Sequence, residues 1–386
     1  MDRYAFKKDL EGYAELEREA AICRKYGIDY RLEKGSVARV MDRFHPAKLE
    51  IALSEIIPET ASATTLRLIS RDHYLPPFQA GQYLSIAVEI NGVRTSRPYS
   101  ISSAPHQTGF YDITIRRKEE GFVSSYLLDQ ARVGDQLSAR SPAGHFHYNP
   151  LFHGKDLVFL AGGSGITPFM SMIREVTDRG LDRKIHLIYG SVLKSDVIFH
   201  KELTERATNH ENFSYSLVIS SPPKGYRGLR GFITAELIGR LVGDIGTKTF
   251  YICGPEEMYR FCLPELEKLG LPRRKIRKEM YGPPEDVTKD AAWPGGVAAA
   301  RTFNVRIRGR GAIKAVAVEP LLVAFERRGI VVPSSCRSGE CSLCRIKLLA
   351  GRVFQPQGVI LRKADARFGY IHACMAYPLE DLEVLL

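Results

Sequence analysis

Four cysteines near the C-terminus constrain the fold of this 386-residue chain more than any other feature. They are Cys336, Cys341, Cys344 and Cys374, and their spacing, C-x4-C-x2-C with a distant fourth cysteine, is that of a ligand set for a [2Fe–2S] cluster. The loop between the first three contains small and polar residues, whose backbone N–H groups can turn toward the sulfurs. Gly339 allows the backbone angles that such a wrap requires. The pattern predicts a domain folded around a cluster that moves electrons.

Two other cysteine chemistries fit this pattern less well. Structural zinc sites usually contain two C-x2-C-like pairs, whereas three of these cysteines share one loop and the fourth stands alone. Disulfides would require a secreted chain, but the N-terminus lacks a secretory signal pattern, and Cys23, Cys253 and Cys262 bring the total to an odd seven. The iron–sulfur cluster is therefore our prediction.

Length and composition predict a multidomain cytoplasmic protein. A chain of 386 residues exceeds what one hydrophobic core normally supports. No apolar run reaches the length of a membrane span. The net charge of +11 is spread along the chain without one long basic run, so it does not indicate nucleic acid binding. From Arg301 onward there are 14 lysines and arginines against seven acidic residues, which an acidic protein partner would explain.

The chain divides into five predicted segments. Residues 1–44 form a helical extension, because Phe6, Leu10, Tyr13, Ala20 and Ile22 lie near helical spacing. These helices either pack on the chain's own domains or serve partner docking or dimerisation. The other segments are an antiparallel β-barrel (45–150), a doubly wound parallel α/β sheet (151–282), a linker rich in Pro, Gly and Ala (283–300) and the cysteine domain (301–386).

A flavin site is predicted within the barrel. Arg97-Pro98-Tyr99-Ser100 combines a guanidinium for a phosphate, a ring that can stack and a hydroxyl that can bind a ring nitrogen or carbonyl. Downstream, Gly121-Phe-Val123-Ser124 opens a helix, where N–H groups and the Ser124 hydroxyl would form an anion site, and Arg116 lies on the preceding strand. Taken alone, the tetrapeptide could be ordinary barrel packing.

A nicotinamide site is predicted in the parallel sheet. A strand leads into Gly162-Gly163-Ser-Gly165-Ile166-Thr167-Pro168, where glycines let the backbone approach a pyrophosphate, Thr167 is a good helix N-cap and Pro168 suits the first helical position. Cys253-Gly254-Pro255 ends another strand and Met258 follows in a helix. Cys253 could equally be a buried strand residue. Gly190 and Ser191 with Lys194 could contact a 2′-phosphate, but no arginine pair is evident, so NADH and NADPH both stay open.

These motifs resemble the ferredoxin–NADP reductase superfamily. The barrel resembles its flavin domain, with Gln79–Tyr83 and Ser141–Phe146 in addition to the motifs above, and residues 301–386 resemble a plant-type ferredoxin, a β-grasp fold. The order of the modules is that of phthalate-type reductases. The Gly121–Ser124 segment favours FAD over the FMN that those reductases use. Plant-type ferredoxins are typically acidic, so this basic domain departs from its family.

The resemblance assigns roles to individual residues. It implies that Arg97 and Gly121–Ser124 contact the pyrophosphate, that Tyr99 stacks on the isoalloxazine ring, and that Ser100 lies near N5, where hydride arrives. It places Cys253 beside the nicotinamide ring as a residue that aligns hydride transfer, so Ser100 and Cys253 are the catalytic candidates. Tyr281 either shields the flavin or is a core tyrosine. The expected cofactor-binding residues are Arg97, Pro98, Tyr99, Ser100, Arg116, Gly121, Val123, Ser124, Gly162, Gly163, Gly165, Ile166, Thr167, Pro168, Gly190, Ser191, Cys253, Gly254, Pro255, Met258 and Tyr281.

The three modules predict a reductase that passes electrons from NAD(P)H to FAD, to the cluster and on to an acceptor protein with an acidic docking face, such as an oxygenase or another metalloenzyme. One alternative is the electron-transfer subunit of a heteromeric dehydrogenase. Another is a non-catalytic redox sensor, although a sensor has no need of the hydride path that Gly162–Pro168 and Cys253–Pro255 indicate. Tyr370 and His372, close to Cys374, either line the exit surface for electrons or are ordinary surface residues.

Overall fold

The computed structural model describes residues 12–25, 36–72 and 74–386. By internal contacts it divides into two units, Met1–Ala47 and Lys48–Leu386. The first unit contains helices α1 (Tyr13–Lys25) and α2 (Ser36–Phe44). Two of the apolar positions on which the N-terminal helix prediction depends, Phe6 and Leu10, lie outside the described residues.

The second unit begins with a six-stranded antiparallel sheet. Its strands follow the order β4-β3-β6-β1-β2-β5, and a bridge between Ile101 and Ile113 joins the chain beyond β4 to β5, so the two edges meet. Alternate strand residues such as Ile51, Leu66 and Leu84 fill the interior, as the two-residue period of a half-buried strand requires. The elements are β1 (Leu49–Thr60), β2 (Ala63–Ser70), β3 (Tyr83–Ile90), β4 (Val93–Ser100), β5 (Tyr111–Arg116), α3 (Phe122–Asp129) and β6 (Gln136–Ala143).

The second sheet is parallel, with the order β10-β9-β8-β7-β11-β12. Its central strands are buried on both faces, which explains their continuous apolar sequences. From β7 the strands β8, β9 and β10 are added on one side of the sheet, and β11 and β12 are added on the other, so the strand order switches sides at β7. A crevice for a ligand therefore opens at the carboxyl ends of β7 and β11. The elements are β7 (Asp156–Gly162), α4 (Ile166–Asp178), β8 (Lys184–Ser191), α5 (His200–Asn209), β9 (Phe213–Ile219), β10 (Leu229–Arg230), α6 (Ala235–Val242), β11 (Thr249–Cys253), α7 (Glu256–Lys268) and β12 (Ile276–Glu279).

The third sheet is mixed and packs on a short helix. Its order is β14-β13-β19-β15-β17, with β13 and β19 parallel, and Phe325 of helix α8 is buried in its core. The elements of this part of the chain are β13 (Thr302–Ile307), β14 (Gly311–Val316), α8 (Leu321–Arg327), β15 (Arg345–Ala350), β16 (Val353–Phe354), α9 (Lys363–Arg367), β17 (Tyr370–His372), β18 (Tyr377–Pro378) and β19 (Leu382–Leu385). Strands β16 and β18 pair with each other in a separate two-stranded sheet. Within the predicted linker, Trp293 packs edge-on against Phe354 and Tyr377, at ring-centroid distances of 5.1 and 6.3 Å.

None of the helices among the described residues is long and apolar enough to cross a membrane.

Candidate functional site

The structure brings the four predicted cluster cysteines together at one end of the third sheet. Cys336, Cys341 and Cys344 lie in the loop between α8 and β15, and Cys374 follows β17. The backbone N–H groups of Glu340 and Cys341 donate to Cys336 Sγ, at 3.4 and 3.3 Å. A hydrogen bond from the Cys341 thiol, together with these N–H groups, holds the pKa of the Cys336 thiol well below its usual range. The loop therefore favours a thiolate, the form that binds iron.

The thiols form two pairs. Cys336 interacts with Cys341, and Cys344 interacts with Cys374, which lowers the pKa of Cys344. No three thiol, imidazole or carboxylate groups of the described residues are arranged around one metal ion. A cluster with two irons takes two thiolates on each iron, so this donor set fits a [2Fe–2S] group.

Two buried side chains support the loop from outside. Arg337 and Glu326 form a double hydrogen-bonded ion pair at 2.7 and 2.9 Å, with only 4% and 8% of their side chains exposed, and so connect the loop to α8. His372 is fully buried, with Nδ1 2.9 Å from the Gly339 carbonyl oxygen and Nε2 3.1 Å from Ser342 Oγ. Because a carbonyl only accepts, Nδ1–H donates to Gly339 and Nε2 accepts from Ser342. Both interpretations of His372 that the sequence left open, an exit-surface residue and an ordinary surface residue, are wrong, because the side chain is buried and bonded to the loop.

The flavin motif lies on β4, beside the cluster loop. The Arg97 guanidinium is largely buried, and in the described structure it donates to neutral oxygens, Thr95 Oγ1 at 2.6 Å and the Ser96 carbonyl at 2.8 Å. Burial, and then the nearby charge of Arg337, lower the pKa of Arg97 to about 10. A buried cation paired only with neutral groups is costly, so a phosphate fits this position.

The barrel contacts the cluster loop directly. Ser96 Oγ lies 3.3 Å from Ser334 Oγ, and the buried Tyr83 hydroxyl is hydrogen-bonded to Ser335, the residue before Cys336. The flavin motif and the first cluster ligand are therefore neighbours. The sequence placed Tyr83 in the barrel segment Gln79–Tyr83, but it did not predict the contact of this side chain with the cluster loop.

The two catalytic candidates meet through Tyr281. Its hydroxyl lies 2.8 Å from Ser100 Oγ and accepts from the Cys253 thiol at 3.2 Å. Burial raises the pKa of the Cys253 thiol, so the thiol stays protonated near neutrality. Glu279, a buried carboxyl two residues before Tyr281, was also missed; burial raises its pKa, and the nearby Glu340 and Cys336 raise it further.

The predicted anion sites have different surroundings. Gly121 is the N-cap of α3, and no side chain caps that helix; a β-carbon on Gly121 would lie 2.9 Å from the Lys118 carbonyl oxygen and also collide with Ser124 Oγ. This end of the helix is open to an anion. Val123 is buried in the barrel core, so its predicted cofactor contact can only come from its backbone. Arg116, which the sequence placed beside the Gly121–Ser124 segment, pairs with Asp196, lies over Gly163 and lines the nicotinamide cavity.

The nicotinamide loop is built from close backbone contacts. A β-carbon on Gly162 would lie 2.5 Å from Met258 Sδ, and one on Gly165 would lie 2.6 Å from the Gly254 nitrogen and closer still to the Cys253 carbonyl. The predicted cap is wrong: α4 begins at Ile166 with Gly165 as its N-cap, and Thr167 donates its hydroxyl to the Ser164 carbonyl at 2.7 Å from within the first turn. Pro168 is therefore the third helical residue, a position where its missing N–H costs nothing.

A cavity of about 450 Å³ opens beside this loop. Phe232 and Phe261 were missed at the sequence level; their rings stand 5.4 Å apart and line it. Phe261 follows Met258 by three residues on α7, a spacing that could have identified it. Lys194 lines a separate cavity with Arg174 and Glu202, so the structure does not bring it to the predicted 2′-phosphate position. Six predicted residues also line the cavity: Gly162, Gly163, Gly190, Ser191, Pro255 and Met258.

Comparisons with known families match all three sheets. Residues 48–148 match the model of an oxidoreductase FAD-binding domain, residues 159–263 that of an oxidoreductase NAD-binding domain, and residues 305–379 that of a 2Fe-2S iron-sulfur cluster binding domain. These matches confirm the predicted FAD, nicotinamide and [2Fe–2S] cofactors.

Relatives and a solved structure match most of the chain. The chain is 28% identical over 343 residues to the glycine betaine monooxygenase reductase subunit of Pseudomonas aeruginosa, covering 86% of this chain and 93% of the relative. It is 30% identical over 247 residues to NADH-cytochrome b5 reductase 1 of Dictyostelium discoideum, covering 63% and 85%. Phthalate dioxygenase reductase superposes with a TM-score of 0.63 at 23% identity, covering 88% of this chain and 97% of that one, which confirms the predicted fold class.

Proposed function

Because this chain belongs to the ferredoxin–NADP reductase superfamily, we propose that it is a reductase component that carries electrons from NADH to a separate oxygenase. The observation that carries the proposal is the contact of three sites within one compact unit. Ser100 and Cys253 meet at Tyr281, and Ser96 of the flavin strand touches Ser334 of the cluster loop. Relatives named as reductase components of monooxygenases support this assignment. The proposed domains, residues 45–150, 151–282 and 301–386, each contain one of the three larger sheets.

Each site has residues suited to its group. Arg97 and the open N-terminus of α3 would hold the phosphates of FAD, Tyr99 would stack on its ring, and Ser100 would hydrogen-bond near N5. FAD, when bound, accepts electrons in a pair and gives them up singly. The chain's own contribution is orientation: Cys253 and Tyr281 fix the position of the nicotinamide against the flavin, and the glycine loop brings the backbone to its pyrophosphate.

We propose NADH as the preferred donor. Among the described residues that line the nicotinamide cavity, Arg116 is the cation, and it is paired with Asp196. Glu257 adds a negative charge to the same wall, which disfavours a 2′-phosphate. Relatives named as NADH enzymes agree with this preference. The aromatic pair Phe232 and Phe261 would stack on the adenine ring.

We further propose a cytoplasmic location, and an acceptor with an acidic docking face. Cys23, Cys253 and Cys262, the three cysteines outside the cluster set, form no disulfide in the described part of the chain, as a reducing compartment would keep them. The surplus of seven positive charges from Arg301 onward supports the acidic partner.

An anaerobic spectral titration tests the internal route. Holoprotein is titrated with NADH and then with NADPH while flavin and iron–sulfur absorption are followed. We expect NADH to bleach both chromophores and NADPH to act at least about tenfold less efficiently. Flavin bleaching with an oxidised cluster would contradict the route. Absence of iron in protein purified without oxygen would contradict the cluster assignment.

A further inference from the structure

Exposed apolar residues lie in the cluster loop and in the segment that is bonded to it. Leu343, which lies between two cluster ligands in sequence, is 41% exposed, Ile360 is 61% exposed and Phe368 is 64% exposed. Exposed apolar side chains grouped beside a functional site mark interaction surfaces more often than isolated ones do. These three residues are therefore candidates for contact with another molecule.

The segment that carries two of these residues is fixed against the loop. The Ile360 N–H donates to the Gly339 carbonyl at 3.0 Å, so this residue lies beside the turn between Cys336 and Cys341. Arg345, which follows Cys344, pairs with Asp365 of α9 at 2.7 Å. Bonds on either side of residues 361–364 therefore hold this surface in a defined position next to the cluster.

The surface is positively charged around its apolar residues. Arg362, Lys363 and Arg367 are exposed, and none of the ion pairs formed by the described residues includes them. Asp365, the acidic residue of α9, is only 8% exposed and forms its ion pair with Arg345. The cations are thus left to act on a partner in solution.

The N-terminal part of the loop is already in contact with the rest of the protein. Ser334 and Ser335 contact the flavin barrel through Ser96 and Tyr83, and Arg337 is buried with Glu326. Electrons that enter from the flavin side need a second side by which to leave. The exposed surface next to Leu343 and Ile360 provides one that stays open to solvent.

We propose that Leu343 and residues 360–368, here named the exit face, bind the acceptor protein, which presents carboxylates around an apolar centre. This inference rests on the proposed function and names the surface at which the acceptor would receive the electrons. The apolar residues exclude water from the contact, and Arg362, Lys363 and Arg367 steer an acidic partner and fix its orientation. A partner bound here lies within a few residues of the cluster ligands.

Charge reversal on the exit face tests this proposal. The double variant Lys363→Glu/Arg367→Glu is compared with Arg306→Glu/Arg310→Glu, an equal change in charge on exposed residues of β13 and of the turn after it, three strands away from β17, which follows α9. The probes are cytochrome b5 as an acidic one-electron acceptor, cytochrome c as a basic one, and ferricyanide. We expect the exit-face variant to lower kcat/KM for cytochrome b5 about tenfold or more, to raise it for cytochrome c and to weaken the salt dependence. The distal variant should change neither acceptor by more than about twofold.

Several outcomes would overturn the proposal. Equal effects of both variants on cytochrome b5 would indicate general charge instead of a docking surface, and no effect of the exit-face variant would exclude this surface. A wild-type dimer that the exit-face variant dissociates, seen by sedimentation, would assign the surface to a second copy of this chain. The cluster's EPR spectrum and its reduction by NADH control for folding. If NADH fails to reduce the wild-type cluster, the proposed function fails; if the cluster is reduced but docking is unaffected, only the exit face fails.

Discussion

The nicotinamide loop and the cluster loop would both bring backbone N–H groups to an anionic group, but they are held in place in opposite ways. The nicotinamide loop omits side chains: a β-carbon on Gly165 would lie 2.6 Å from the Gly254 nitrogen. The cluster loop keeps its side chains and holds Arg337 and Ser342 at positive φ, 55° and 59°, with buried partners. One loop is fixed by lack of space and the other by side-chain bonds. Different substitutions should therefore break them.

The largest expected effect is that of Gly165→Ala. The new β-carbon would press on the backbone of Cys253 and Gly254, which no rotamer change can relieve, and so separate β7 from β11. A displacement of about 1 Å can lower a rate a hundredfold. We expect stopped-flow flavin reduction by NADH to fall by at least about a hundredfold, while the cluster absorption stays normal.

Gly190→Ala is the matched control, because Gly190 lines the same cavity. Its β-carbon would meet Ile233 Cδ1 at 3.5 Å, an ordinary van der Waals contact. We expect a change of less than about fivefold in the same rate. Equal losses in both variants would show that backbone crowding is not what makes Gly165 necessary.

The cluster loop should instead fail when a buried partner is removed. Glu326→Leu leaves the Arg337 guanidinium buried and unpaired, which typically costs about 3–5 kcal/mol of unfolding free energy. The double variant Glu326→Leu/Arg337→Leu removes both charges without changing the backbone strain at position 337, and we expect it to recover most of that loss. Denaturant unfolding and the rate of cluster loss measure both variants. A double variant less stable than Glu326→Leu would contradict this account.

The two loops also differ in how far sequence could predict them. The spacing of the cysteines predicted the cluster ligands, because three of the four thiols lie in one short segment and only Cys374 is distant in sequence. The same spacing carries no trace of Glu326, which lies on another element and contacts the loop only after folding. In the nicotinamide loop the glycines were identified, but the cap was placed at Thr167 because local propensity cannot detect the three-residue turn Gly163–Gly165 that precedes the helix.

His372→Leu tests the support of the cluster loop without removing a charge pair. Leucine cannot replace the bonds to Gly339 and Ser342, so the N–H groups near the sulfurs become less well aimed. Each lost hydrogen bond is worth about 0.5–1.5 kcal/mol. We expect the cluster's midpoint potential to fall by on the order of 50 mV, near the 59 mV that corresponds to a tenfold change for one electron.

His372→Gln is the conservative variant, because its amide can both donate and accept. In redox titration its midpoint potential should lie between those of the wild type and His372→Leu. Its EPR spectrum should be closer to that of the wild type than the spectrum of His372→Leu is. A potential unchanged in His372→Leu would leave His372 as a packing residue only.

The smallest expected effect is the pH dependence that Cys253 contributes to hydride transfer. The thiols of the two sites differ in the direction in which their pKa is displaced. Burial raises the pKa of the Cys253 thiol, whereas hydrogen bonds to Cys336 lower its pKa, so one site keeps a neutral thiol and the other a thiolate. An ordinary cysteine ionises near pH 8.5, within the range from about 6 to 9 in which the rate is measurable. Because the pKa of Cys253 is displaced upward, its thiol stays protonated throughout that range. Flavin reduction by NADH should therefore have the same pH profile in the wild type and in Cys253→Ser, although the absolute rates differ. A change in the rate between about pH 8 and 9 that is present in the wild type and absent in Cys253→Ser would show that the thiol ionises in the working enzyme. Cys253 would then resemble the cluster thiols more closely than its burial indicates.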